Sequence, residues 1–174
     1  MAAISLDSAP LRDPLRAFKY DGQYRWGAIF GRLILGWLDR NAPVALAYTH
    51  IVANPGYLNR RPYRHVESML TAAATEDIHH RWPIYPKALI KSIDTPKSAG
   101  QSLLAKSRAA QEHAAAIRLA DPPDAAPPLP GARVLIIDDI FTTGTQLDAV
   151  GRRFLESGAT RVDGLVLARR PWGS

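Results

Sequence analysis

The chain has 174 residues, enough for one compact domain and too few for two with independent cores. Apolar types make up 47% and charged types 22%, which excludes disordered, collagen-like and fibrous classes. Twenty-two Lys and Arg against 16 Asp and Glu give +6, compatible with nucleic acid, an acidic membrane surface or a phosphorylated metabolite as partner, while the absence of cysteine removes disulfides, thiolate zinc sites and a cysteine nucleophile.

No run reaches the roughly 18 apolar residues that a membrane span needs. Residues 1–10 lack the basic-then-apolar order of a signal peptide, so no membrane partner and a cytoplasmic protein are expected. Residues 10–24 are charged and carry aromatics, with Tyr20-Asp21-Gly22 as a turn signal. Trp26, Ile29, Phe30, Leu33, Ile34, Trp37 and Leu38 then recur at steps of three and four, which predicts one amphipathic helix closed by Asn41-Ala42-Pro43. Leu46 to Val52 reads as a strand leading into the loop Ala53-Asn54-Pro55-Gly56. A helix starting near Pro62 follows, burying Val66, Met69, Leu70 and Ala73. Ala88 to Ile93 is a second candidate strand, residues 94–113 turn polar, and an Ala-rich stretch over 102–119 reads as helix. Five prolines between Asp121 and Gly131 exclude regular structure there.

The final section is the most legible. Val134 to Ile137 is a continuous apolar run, as in a strand buried on both faces. Thr145 to Ser157 has helical periodicity with Gly158 as its stop, and Val162 to Ala168 is a last strand. Strand, helix, strand in that span predicts a right-handed crossover and a mainly parallel sheet. The expected architecture is a single α/β domain: a helical extension over about 1–42 and an open-sheet core over about 43–170.

The chemistry concentrates in Val134-Leu135-Ile136-Ile137-Asp138-Asp139-Ile140-Phe141-Thr142-Thr143-Gly144-Thr145. Two carboxylates stand at the C-terminal end of a buried strand, where open α/β sheets bind ligands. A hydroxyl-rich turn with one glycine then enters a helix, whose unpaired N–H groups and partial positive charge suit a phosphate. The aspartates repel that phosphate and suit an adjacent diol. Helix capping alone would use one residue of this string, whereas an acid pair followed by a phosphate cradle describes a ribose 5-phosphate site. There is no GxxxxGK[ST], and no GxGxxG follows a strand.

This string resembles the phosphoribosyl-diphosphate (PRPP) signature of type I phosphoribosyltransferases. Phe18-Lys19-Tyr20-Asp21-Gly22, the amphipathic helix, an arginine-bearing first loop, a Thr-Pro pair at Thr95-Pro96 and Gly131-Ala132-Arg133-Val134-Leu135 resemble the competence-protein ComF branch, over roughly residues 17 to 169. The resemblance implies that Asp138 and Asp139 bind the ribose hydroxyls, and that the Phe141, Thr142, Thr143, Gly144 and Thr145 segment holds the 5-phosphate. The loop Ala53 to Arg61, with Asn54, Arg60 and Arg61, would face pyrophosphate. A segment from Thr95 to about Arg108 would close over the substrate, with Lys97 and Arg108 as its catalytic cations. Mg2+ would arrive with PRPP, with no dedicated protein metal site.

The chain departs from the ComF pattern in three places. It has no cysteine zinc module, it reads Arg61-Pro62-Tyr63-Arg64-His65 where Arg-Gly-Phe-Asn-Gln is usual, and it has Ser98 where a glutamine is common. The expected activity is transfer of phosphoribosyl to a nitrogen acceptor, a base or amine, with release of pyrophosphate. The alternative is a PRPP-sensing regulatory protein linked to DNA uptake. Either reading admits a homodimer, and neither requires nucleic acid. Removing both carboxylates, as in Asp138→Asn with Asp139→Asn, is expected from the sequence to abolish PRPP binding and spare the fold.

Overall fold

In the computed structural model, which describes residues 1–6, 9–59, 62–94, 103–121, 124 and 126–169 (without the side chains of 6, 9, 103–107 and 110), thirteen elements follow in order. They are β1 (Ala2–Leu6), α1 (Ala9–Tyr20), α2 (Trp26–Arg40), α3 (Ala42–Ala45), β2 (His50–Ala53), α4 (His65–Glu76), β3 (Ile84–Tyr85), β4 (Leu89–Lys91), α5 (Leu103–Ala115), β5 (Ile117–Leu119), β6 (Arg133–Phe141), α6 (Thr145–Glu156) and β7 (Arg161–Arg169). Five strands form one parallel sheet in the order β1-β7-β6-β2-β3. The chain is an α/β protein.

The apolar run in β6 behaves as a strand covered on both faces should. Leu135 and Ile137 enter one core with α1, α2 and α4, while Val134 and Ile136 enter a second core with α5 and α6. All four are at most 1% exposed. Period-two alternation of one short segment therefore feeds both halves of the hydrophobic core.

The order of strands locates a crevice. From β2 the chain moves outward to β3 through α4, in the first core; from β6 it moves the other way to β7 through α6, in the second. The neighbours β2 and β6 thus flank the point where the winding reverses, and ligands bind outside the carboxyl ends of such strands. Ala53 pairs with Ile137 there, so Asn54 and Asp138 follow side by side.

Several local expectations change. Residues 2–6 form the sheet's edge strand against β7, so the N-terminal segment is not purely helical; Ala2-Ala3 carries little strand propensity, and the pairing comes from β7. The strand expected over 46–52 begins only at His50, because the N–H groups of Leu46, Ala47 and Tyr48 bond back to carbonyls of the short helix α3 and so turn the chain instead of extending it. Helix α4 starts at His65, three residues beyond Pro62, with the expected Val66, Met69, Leu70 and Ala73 buried. The strand expected over 88–93 is β4, which lies outside the parallel sheet and pairs antiparallel with β5, itself read as the end of a helix. Of the α2 stripe, Phe30, Ile34 and Leu38 are buried, whereas Ile29 and Leu33 face solvent. Gly31 allows α2 to approach α4 closely: a Cβ there would lie 2.7 Å from the Ala73 backbone nitrogen. No helix among the described residues is long and apolar enough to cross a membrane.

Candidate functional site

β6 is longer than the sequence predicts and carries both aspartates within its last turn of pleat, so their side chains alternate. Asp139 points inward and is 5% exposed. Its Oδ2 accepts from Lys19 Nζ of α1 at 2.5 Å and from His65 Nε2 of α4 at 2.9 Å, and its Oδ1 accepts from the Ile140 N–H at 2.8 Å. Burial alone would raise this carboxyl, but Lys19 and His65 outweigh it and hold it well below the usual carboxylate range. Lys19 answers in kind: burial works against its charge, and Asp139 more than restores it, leaving the ammonium raised.

Asp138 is disposed differently. Its Oδ2 accepts from Asn54 Nδ2 at 2.8 Å, and its Oδ1 accepts from the Asp139 N–H at 2.8 Å. Each carboxylate oxygen can accept two hydrogen bonds, so these contacts leave one acceptor position on each oxygen of Asp138. Burial, and then the negative charge of Asp139 beside it, push its carboxyl upward; Lys19 and the two donors pull the other way. The pair is therefore split by its surroundings: Asp139 is a fixed anion, Asp138 a group that charges reluctantly.

The turn that follows brings threonine hydroxyls and backbone N–H groups together at the start of α6. Phe141 ends β6, Thr142 and Thr143 are exposed, and Thr143 Oγ1 lies 2.9 Å from Thr145 Oγ1. Gly144 caps α6 at φ +74°, and the Asp148 N–H closes the first helical turn on its carbonyl. The N–H groups of Thr145, Gln146 and Leu147 precede that bond and have no acceptor within the helix. Only glycine fits at 144: the conformation is left-handed, and a Cβ would fall 2.3 Å from the Phe141 ring. Gly144→Ala is expected to lower unfolding free energy by about 1–3 kcal/mol. An unchanged urea midpoint would show that this turn bears no such constraint.

Asn54 was expected to face pyrophosphate; its side chain is instead turned into the protein, 5% exposed, bonding Asp138 and, through Oδ1, His113 Nε2 at 3.2 Å. The loop beyond it is tied to α4 where the Gly56 N–H donates to Glu67 Oε1 at 3.0 Å. Arg108 lies on the outer face of α5 in an i,i+4 pair with Glu112 at 3.0 Å, with its side chain 84% exposed. Lys97, Arg60 and Arg61 lie outside the described residues. A cleft of about 510 Å3 opens at the β1 edge, with Ser5, Phe141, Val166 and Arg169 among its walls, beside the aspartates and not over them.

Sequence reasoning passed over four residues that shape this site: Lys19, His65, Lys91 and His113. Lys91 carried a signal, a lysine ending the apolar strand Leu89-Ile90-Lys91. His113 carried a fainter one, a ring among alanines on α5. No protein-family model matches the chain, and a search of curated proteins finds no match.

Proposed function

We propose that this chain is a type I phosphoribosyltransferase of the ComF-like kind, binding PRPP and transferring its phosphoribosyl group to a nitrogen acceptor. One observation carries the reading: at the winding reversal of a parallel sheet, a carboxylate with an open acceptor position on each oxygen stands six residues before the left-handed glycine that starts α6. The diol of the ribose binds Asp138, and the 5-phosphate binds the N–H groups and hydroxyls of the turn from Thr142 to Thr145. Asp139 holds the strand end in place through Lys19 and His65.

In the reaction a nitrogen attacks C1 of the ribose. The C1–N bond forms as the C1–O bond to pyrophosphate breaks; the bonding pair leaves with pyrophosphate, and the nitrogen proton passes to solvent. The transition state has oxocarbenium character, as in glycoside cleavage. The chain's own contribution is orientation of the sugar and fixed dipoles around it. The hard oxygen donors of Asp138 fit a Mg2+ ion carried on PRPP, and among the described residues no cluster of three or more His, Asp or Glu is placed to cage one. When bound, such an ion neutralises charge on the departing pyrophosphate.

The second reading is a PRPP sensor without turnover. Arg108 favours it, because the cation expected over the substrate is engaged with Glu112 on an exposed helix face. Incubation with PRPP, Mg2+ and a panel of purine, pyrimidine and amine acceptors is expected to release pyrophosphate only with a suitable acceptor. PRPP binding by calorimetry with no release from any acceptor assigns the sensor. Absence of binding overturns both.

A further inference from the structure

Lys91 ends β4 and is 6% exposed. A buried ammonium requires acceptors, and it has donors only. Its Nζ lies 2.9 Å from His113 Nδ1, which fixes that ring nitrogen as the acceptor. Burial, aided by the charge of Lys91, pushes His113 down to about 3, so the imidazole is neutral with its proton on Nε2. Nε2–H then donates to Asn54 Oδ1 at 3.2 Å, and the amide is turned so that Nδ2–H donates to Asp138 Oδ2 at 2.8 Å. One donor-only group sets the direction of every bond in a chain that crosses β4, α5, the end of β2 and β6.

We propose that Lys91 and His113 are positioning residues: through Asn54 they orient the Asp138 carboxylate so that both its oxygens present an acceptor to a sugar diol. The inference rests on the PRPP reading for its ligand. A purely structural core would be served as well by apolar side chains of similar volume, since buried polar groups add little net stability. Here the polar chain ends on the carboxylate of the pair that retains an acceptor position on both oxygens, whereas Lys19 and His65 together fill Oδ2 of Asp139. Among the described residues, the ionisable groups around that carboxylate are Asp139 on its own strand, Lys19 from α1 and His65 from α4 (both on Asp139), and His113 and Lys91 behind Asn54.

The test compares His113→Gln with His113→Leu. A glutamine amide keeps an acceptor and a donor at the spacing of the two ring nitrogens, whereas leucine keeps only volume. PRPP affinity is read by calorimetry, the ionisation of Asp138 is read from its carboxyl 13C shift without ligand, and urea unfolding verifies that each variant is folded. His113→Leu is expected to weaken PRPP binding about tenfold or more, the scale of one hydrogen bond to a charged group. It is also expected to move the Asp138 titration to higher pH, because a donor to the charged form is lost. His113→Gln should restore both to near wild type. A folded His113→Leu variant with an unmoved Asp138 titration overturns the relay, as does a glutamine variant no better than leucine. Failure of the wild-type protein to bind PRPP overturns the ligand while leaving the 13C comparison to decide the relay.

Discussion

Asp139→Asn is expected to lower the unfolding free energy at neutral pH by about 3–5 kcal/mol, the cost of leaving a buried charge without its partner. Lys19 keeps its ammonium beside a neutral amide, with a side chain only 21% exposed and burial opposing its charge. The His65 Nε2–H loses its carboxylate as well. The sign of the pH dependence follows from the depressed carboxyl. A group whose folded value lies below its ordinary 3.8 contributes its full stability above that value and loses it as pH falls toward the folded one. The gap between wild type and Asp139→Asn should therefore be widest near neutrality and narrow below about pH 4. Urea unfolding at pH 7 and at pH 3 measures both ends. A variant as stable as wild type at pH 7 would falsify the anchoring role of Asp139. Lys19→Met should be similarly harmful, and the two substitutions together less so than their sum, because the second removes the charge the first left stranded.

Asp138→Asn is expected to do the reverse: to keep the fold and remove the ligand. Two charge-assisted hydrogen bonds from a sugar diol are worth about 3–6 kcal/mol together, so PRPP affinity should fall roughly a hundredfold or more. The amide also sets an N–H group against the Asn54 donor, which disturbs the orientation of both. For stability the linkage runs opposite to that of Asp139. Asp138 has its folded value raised, so its ionisation costs stability progressively as pH rises from about 3.8 toward that raised value. Replacing it with a neutral amide should leave the thermal midpoint unchanged or higher at pH 8, with no gain at pH 3. Calorimetry with PRPP and thermal melts at the two pH values together separate the roles of the neighbours. Wild-type affinity in a folded Asp138→Asn protein would remove the sugar from this site. The double change expected from sequence to spare the fold does not fit the structure, because one of its two positions carries an ion pair.

The legibility of the site divides along the same line. The string from Val134 to Thr145 was readable because its signals are local. Apolar continuity marks a doubly covered strand, Gly144 marks a left-handed turn, and the threonines mark a helix start. Two adjacent aspartates look identical in one dimension, however, and the pleat sends them to different environments. Asn54 reads in the sequence as part of a loop, and only the pairing of β2 with β6 turns it onto Asp138. Lys19 sat in a recognisable Phe-Lys-Tyr-Asp-Gly stretch, yet nothing in that stretch names a partner 120 positions away.

The fold shows the same contrast. Helical spacing located α2, α4 and α6 to within a few residues, since 3.6-residue periodicity is written in each segment. β1 and β3 were invisible, being short and weakly patterned, and they exist as strands because β7 and β2 offer them a ladder.

What the amino-acid order determined alone was the parallel crossover around β6, the position of the threonine-rich turn before α6 and the choice of glycine at 144, all properties set by neighbours a few residues apart. Tertiary packing decided which aspartate is anchored and which is offered. Lys19 from α1, His65 from α4 and Asn54 from the loop after β2 meet the pair, and the charge state of a carboxylate depends on what surrounds it in space.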